Sequence, residues 1–236
     1  GPPVRPKVWL WALVAVLLLS ALLRGAAFGA LPPGLYHDEA YNGLDALDIL
    51  QGHPSLYFDA NNGREPLFIY LVALSVGVFG RNPYAVRLPA LFVGLLTVAA
   101  TAALGRALFT RRVGLLAAAV LAVTLWHVHL SRISLRAVLL PLLVALAAWQ
   151  VARALTTRHR RNWLLAGVLY GLCFYSYSAA RFTPVAVAAG ALLWLVLRVK
   201  RGRAWQPSRA TLYGAALAAA AALLTVAPLA AYAGIY

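Results

Sequence analysis

Residues 8–28 read VWLWALVAVLLLSALLRGAAF, an apolar run as long as the roughly 20 residues an α-helix needs to cross a hydrocarbon core about 30 Å thick. A backbone placed in that core must satisfy its own N–H and C=O groups, which a helix does internally. Working outward from this run, six more of similar character follow, at approximately 88–104, 113–130, 137–152, 163–178, 182–197 and 212–233. One further apolar stretch, Leu67 to Phe79, is only 13 residues long, a length that suits an interfacial or re-entrant helix as well as a span. The whole composition agrees: 63% of the 236 residues are hydrophobic and 11% charged, with a mean hydropathy of +0.78, whereas soluble domains carry about 25% charged residues. A soluble domain is excluded. The expected fold is an all-α integral membrane protein of about seven transmembrane helices, with amphipathic juxtamembrane helices in the first external loop.

Charge orients these spans. Lys and Arg gather in short cytoplasmic loops, and here they cluster at Arg5/Lys7, at Arg106/Arg111/Arg112, at Arg153/Arg158/Arg160/Arg161 and at Arg198/Lys200/Arg201/Arg203/Arg209. All four clusters share one side only if a single crossing separates residue 65 from residue 106. Leu67 to Phe79 is therefore read as lying in the outer interface, with the N-terminus cytoplasmic. An eight-span arrangement would put three of the four clusters outside. In this reading 8–28 is the first span, 31–87 the external loop with its interfacial helices, and 88–233 the six further spans of one module covering 1–236. The net charge of +15 is explained by these clusters and their attraction to anionic lipid, and no nucleic-acid module is present. The lone cysteine, Cys173, lies in an apolar run and supports neither a disulfide framework nor a Cys-based metal site.

All six acidic residues, Asp38, Glu39, Asp45, Asp48, Asp59 and Glu65, fall between the first span and the short apolar stretch. One explanation is that a long external loop needs solubilising groups. Three details point beyond that. Tyr36-His37-Asp38-Glu39 follows Pro32-Pro33-Gly34 directly, placing two carboxylates at the membrane surface, where scarce water raises carboxylate pKa values and suits a general base. Residues 38–51 form an amphipathic pattern with Asp38 as a candidate N-cap; Tyr41, Leu44, Leu47 and Leu50 share one face, and Asn42, Asp45 and Asp48 a second that reads as solvated. Next, Asn61-Asn62-Gly63-Arg64-Glu65-Pro66 leads a turn into the short apolar stretch, where Arg64 and Glu65 also fit an interfacial salt bridge. Finally, Arg64, Arg81, Arg87, Arg132, Arg136 and Arg181 lie on the acidic side, against the positive-inside trend, and membrane-edge guanidinium groups suit phosphate or pyrophosphate. Carboxylates facing arginines at the lipid boundary suit an anionic lipid headgroup and a proton transfer.

The ordered series Tyr36-His37-Asp38-Glu39-Ala40-Tyr41, Gly63-Arg64-Glu65-Pro66-Leu67, Pro83-Tyr84-Ala85-Val86-Arg87-Leu88-Pro89-Ala90 and Trp126-His127-Val128-His129-Leu130-Ser131-Arg132 resembles the lipid-linked-sugar glycosyltransferases of the GT-C superfamily. Within it, the protein O-mannosyltransferase and aminoarabinose-transferase group is the nearest in look, and the match is to that group's N-terminal module of about seven spans. The resemblance implies inverting transfer of a sugar from a polyprenyl phosphate to a hydroxyl acceptor on the external face of a prokaryotic plasma membrane. It implies Asp38 as general base, with Glu39 orienting the acceptor or sharing that role. Arg87 would bind the lipid phosphate, assisted by Arg64 and Arg132. His37, Glu65, Arg136, Tyr175 and Tyr177 are secondary candidates for substrate contact. The partners implied are a polyprenyl-phosphate-linked sugar and membrane lipids. The sequence departs from the family's pattern after Ser131-Arg132, where many relatives carry an Asp and this chain has Leu135-Arg136-Ala137. Relatives also continue past the equivalent of Tyr236, so the chain is expected to continue there as well.

The remaining polar residues have plainer readings. His127 and His129 are two apart on a helix and face different ways, which argues against joint metal ligation; no metal site is assigned, although relatives differ in their need for a divalent ion. Trp126, Trp163, Tyr175 and Tyr177 fit an aromatic belt, and small-residue runs such as Ala215 to Ala222 permit close helix packing. A transporter would need ionisable groups near mid-membrane, of which the spans are nearly free, their charges sitting at the ends. The rival to an enzyme is a non-catalytic membrane scaffold or accessory subunit that retains the fold.

Overall fold

The computed structural model describes residues 5–200 and 208–235. Arg201 and Arg203 of the fourth basic cluster lie outside the described residues. Ten α-helices are present among those described: α1 (Pro6–Gly25), α2 (His37–Leu50), α3 (Leu67–Phe79), α4 (Pro83–Leu108), α5 (Arg111–Val123), α6 (Leu125–Leu130), α7 (Leu139–Thr157), α8 (Arg160–Cys173), α9 (Thr183–Lys200) and α10 (Arg209–Ile235), with short 3-10 turns at Arg136–Val138 and Ser178–Phe182 leading into α7 and α9. Among the described residues, five helical segments are long and apolar enough to cross a membrane: Pro6–Gly25, Pro83–Leu108, Arg136–Thr157, Ser178–Leu197 and Arg209–Tyr232.

Two of the seven expected spans are shorter than the sequence suggested. The run at 113–130 is divided because Thr124 leaves the helical region (ψ 115°), separating α5 from α6. The run at 163–178 is helical only as far as Cys173, the end of the 14-residue α8, after which the chain turns at Phe174–Ser176. At the other boundary, α4 begins five residues before the expected span. Asn82 accepts from the Ala85 amide through its side chain at 2.9 Å, and Pro83 occupies the first turn, where its missing N–H costs nothing. Arg87 is therefore a helical residue of α4 rather than part of a loop.

Apolar contacts organise the bundle around α4, which packs on α1, α3, α5 and α7. Glycine allows the closest approaches. A Cβ on Gly105 would fall 2.7 Å from Gly114 Cα, so α4 and α5 meet backbone to backbone. Gly171 lies on the Ala222 carbonyl of α10, where a Cβ would sit at 2.9 Å, and Gly167 lies on that of Ala218; the Gly167-x-x-x-Gly171 spacing and the small-residue face of α10 thus form one helix pair.

Charge divides the two ends of the bundle. Trp9 donates to the Arg111 carbonyl at 3.0 Å, and Arg106 lies over the Trp9 ring, which joins the first and second basic clusters. Arg160 lies over Tyr213 at the start of α10, joining the third cluster to the fourth. The starts of α4 and α7 both adjoin Ser134, whose hydroxyl donates to the Val86 carbonyl at 2.7 Å, and the packed α4 and α7 run from there toward the basic clusters. The acidic loop and the basic clusters thus occupy opposite ends of the bundle.

Candidate functional site

Glutamate 39 forms the centre of the acidic end. The helix α2 starts at His37 because the Glu39 carboxylate reaches back to accept from the Tyr36 amide at 2.8 Å, satisfying one of the free N–H groups of a helix start. The same carboxylate accepts from Arg87 Nε at 2.7 Å and Nη2 at 2.9 Å, and from the Ser134 amide at 2.9 Å. Arg87 also donates to the Pro32 carbonyl at 2.9 Å and to that of Gly34. Both side chains are essentially sealed from solvent, at 0% and 1% exposure. A bidentate Arg–carboxylate pair whose other groups are bonded is the form in which a buried ion pair is tolerated. Four of the five guanidinium N–H groups of Arg87 are thereby directed to the protein. Ser134 completes the junction, its carbonyl accepting from Asn42 Nδ2 at 2.7 Å.

Asp38 is the second residue of α2 rather than its N-cap, because Glu39 performs that service. Its side chain is 41% exposed, and Oδ1 accepts from Asn61 Nδ2 at 2.6 Å while His37 Nδ1 stands 3.6 Å away. His37 itself is exposed and packs edge-on against Tyr41. Asn61 is delivered by a tight loop: Phe58 and Arg64 form an isolated antiparallel bridge, with N···O distances of 3.0 and 2.7 Å. Asn61 and Asn62 within it adopt left-handed φ values of 55° and 65°, which Asn tolerates better than most residues.

The polar face of α2 points inward, against the expectation that it is solvated. Arg64 donates to Asn42 Oδ1 at 3.0 Å, to the Ala60 carbonyl at 3.1 Å and to the Asp45 carboxylate, and its guanidinium lies over the Tyr41 ring. Burial pushes the Asp45 carboxyl upward from its usual range while Arg64 pulls the other way. Asp48 is exposed as expected. Arg64 and Glu65, adjacent in sequence, are divided between partners: Glu65 is buried against Arg136 Nη1 at 3.0 Å, with Arg181 Nη2 at 3.8 Å.

Between these groups lies a cleft of about 220 Å³ lined by Asp38, Asn42, Asn61, Arg64, Arg136 and Tyr177, among others. Arg136 donates to the Gly63 carbonyl at 3.1 Å and lies over the Tyr177 ring. The structure thus brings Asp38, Arg64, Arg136 and Tyr177 to one cavity. Glu39, Arg87 and Glu65 stand behind its wall as buried pairs. Arg132 and Tyr175 serve elsewhere. Arg132 donates to the carbonyls of Leu23, Arg24 and Leu31 at 3.0–3.1 Å, closing the C-terminal end of α1. The Tyr175 hydroxyl accepts from the Leu229 amide at 3.2 Å and donates to the Thr225 carbonyl at 2.8 Å. Among the described residues no three of His, Cys, Asp or Glu come together as a metal site.

Sequence reasoning missed Asn42 and Ser134, whose signal is only tertiary, and Arg24. Arg24 is fully buried, donating to Ser20 Oγ at 2.7 Å, to the Ala122 carbonyl at 2.9 Å and to His127 Nδ1 at 2.7 Å. The break at Thr124 is what leaves the Ala122 carbonyl free for it. A lone Arg within the first apolar run was the available signal.

Comparison with known proteins agrees with this architecture. Residues 61–232 match the family model for dolichyl-phosphate-mannose-protein mannosyltransferase. The matched region includes Arg64, Glu65, Arg87, Arg136 and Tyr177, and it reaches Asp38 and Glu39 only through the Asn61, Arg87 and Ser134 contacts above. Among solved structures, the crystal structure of the Archaeoglobus fulgidus oligosaccharyltransferase in the apo form is similar, with a TM-score of 0.73 and 18% identity, over 95% of this chain and 30% of that one. At that identity the likeness is one of fold, and the chain spans 30% of that relative's length. No curated protein sequence gives a significant match. A family match over well more than half of the chain, on a bundle with the fold expected of such a module, places this protein in the dolichyl-phosphate-mannose-protein mannosyltransferase family, within the GT-C superfamily.

Proposed function

We propose that this chain is the transmembrane module of a glycosyltransferase that moves a sugar from a polyprenyl-phosphate donor to a hydroxyl acceptor, with inversion, at the acidic end of the bundle on the external side of a membrane. The observation that carries this reading is the cleft in which a half-exposed carboxylate, Asp38, shares a cavity with the guanidinium groups of Arg64 and Arg136. In the reaction, the Asp38 carboxylate takes the proton of the acceptor hydroxyl as its oxygen bonds to the anomeric carbon. The bond from that carbon to the phosphate oxygen breaks, and the electron pair leaves with the polyprenyl phosphate. Arg136 is the cation that receives this developing charge, because it reaches the cleft and is held by a single carboxylate partner and one carbonyl from its own Nη1. Arg64 adds a second positive charge from the wall, and Tyr177 contributes an aromatic face beside the sugar.

Arg87 and Glu39 act one step back in this scheme. Their pair ties the start of α2 to α4 and to Ser134, and so sets the angle from which Asp38 enters the cleft. Arg132 acts in the same indirect way through the end of α1.

The test is release of polyprenyl phosphate from polyprenyl-phosphate-mannose by the full-length protein in native membranes, with donor retention followed by native mass spectrometry. Asp38→Asn is expected to slow release by roughly 10²–10⁴-fold, the range for a general base, while still retaining donor. Arg136→Gln is expected to lose donor retention. Release by Asp38→Asn at the wild-type rate would overturn the assignment of the base, and a wild-type protein that neither retains nor consumes the donor would return the scaffold reading.

A further inference from the structure

On the side of α2 away from the cleft lies a second cavity of about 320 Å³, an open groove whose walls are Ala40, Gly43, Leu44 and Leu47 of α2 against Val76 of α3 and Val86 of α4. Its one ionised lining residue is Arg81, at the corner between α3 and α4. Leu44 is 52% exposed, and Leu74, Val78, Phe79 and Tyr84 nearby are also open, so the groove joins the apolar outer surface of the bundle.

Most charges of the acidic end have partners within the protein, while Asp48 and Asp59 are exposed. Glu39 is paired with Arg87, Asp45 with Arg64, and Glu65 with Arg136 and Arg181. Asp38 is engaged by Asn61. Arg81 has no carboxylate within ion-pairing distance among the described residues. A guanidinium at a lipid boundary without a counter-charge is costly, and it sits here on the side of the molecule from which the positive-inside trend excludes it. The hydrocarbon-like walls and the single exposed cation together describe a ligand with an apolar chain and an anionic head.

We infer that this groove binds an anionic phospholipid of the surrounding leaflet, one acyl chain lying between α2 and the α3–α4 corner and the phosphate paired with Arg81. The donor does not fill this role, since its phosphate belongs in the cleft on the opposite face of α2. Gly43 is the residue that makes the groove floor this close: a Cβ there would stand 3.3 Å from Val86 Cγ2. A lipid seated here holds the same helix that carries Asp38.

The exclusion of the donor rests on the proposed placement of its phosphate in the cleft, whereas the groove and Arg81 do not, and the inference is tested by native mass spectrometry of the full-length protein titrated with phosphatidylglycerol or phosphatidylcholine. The wild type is expected to retain one phosphatidylglycerol at least about five-fold better than phosphatidylcholine. Arg81→Gln is expected to bring that preference to within two-fold, Arg81→Lys to keep most of it, and Arg136→Gln to leave it unchanged. A groove-filling Ala40→Phe is expected to weaken retention of both lipids. A wild type without the preference, an Arg81→Gln variant that keeps it, or loss of it in Arg136→Gln instead would each overturn the assignment, the last by placing the lipid in the donor cleft.

Discussion

Adjacent carboxylates at positions 38 and 39 have opposite fates. Successive residues of a helix point about 100° apart, so when Glu39 turns inward to Arg87, Asp38 turns toward the cleft. Only one of the two remains accessible, and the other is held in a buried ion pair. Removing one partner of a fully buried ion pair leaves the other charge unpaired, at a typical cost of 3–5 kcal/mol. Glu39→Gln and Arg87→Gln are each expected to lower the unfolding temperature in detergent markedly. A double variant that removes both charges is expected to recover part of the loss. Equal stability of the single variants and the wild type would show that Arg87 is free to serve another anion.

At the scale of elements, α10 carries an internal proline that the bundle accommodates with one hydroxyl. Pro228 has no N–H and its ring crowds the preceding turn, and the Tyr175 hydroxyl enters that opened turn between the Leu229 amide and the Thr225 carbonyl. The same residue's carbonyl accepts from the Leu67 amide at 2.9 Å, tying α10 to the start of α3. Tyr175→Phe is expected to destabilise the protein by about 1 kcal/mol, the net worth of a typical hydrogen bond. The penalty is expected to shrink in a Pro228→Ala background, where the turn can close on itself. An unchanged penalty in a double-mutant cycle would contradict the inserted-hydroxyl account. The helix α2 shows a different lesson of scale. Its polar residues Asn42 and Asp45 face Arg64 and Ser134, while Leu44 and Leu50 remain open, the reverse of an amphipathic helix facing water with its polar side. In a membrane-edge position, apolar residues can face lipid and polar residues the protein.

For the whole molecule, the separation of acidic and basic ends is a prediction about sidedness. In a Cys173→Ala background, single cysteines at Arg111 and Arg160 are expected to react with an impermeant thiol reagent only after the membrane is opened. One at Asp59, which is exposed in the acidic loop, is expected to react in intact cells. Labelling of positions 59 and 111 from the same side would refute the single crossing between the acidic loop and the second basic cluster.

The membrane class, the helical fold, the 13-residue α3 and the gathering of acids and arginines at one end were legible in the sequence. Each follows from quantities that sum along the chain: apolar length, charge placement and the short-range signals of Pro and Asn. The sequence also singled out the three charged residues of the cleft wall, Asp38, Arg64 and Arg136, because charge is conspicuous in a chain with so little of it. Only the tertiary structure decided which charge meets which. It sent Arg87 to Glu39 rather than leaving it open, drew Arg64 away from its neighbour Glu65 to Asp45, and brought Arg136 into the cleft. It also broke the span at 113–130 at Thr124 and filled the gap with Arg24. A side chain's partner depends on helix phase and on the packing of segments far apart in sequence, as in the Ser134 contacts to Glu39, Asn42 and Val86. Those pairings follow from the low polarity of the interior, where a buried charge is costly unless it is paired or hydrogen-bonded.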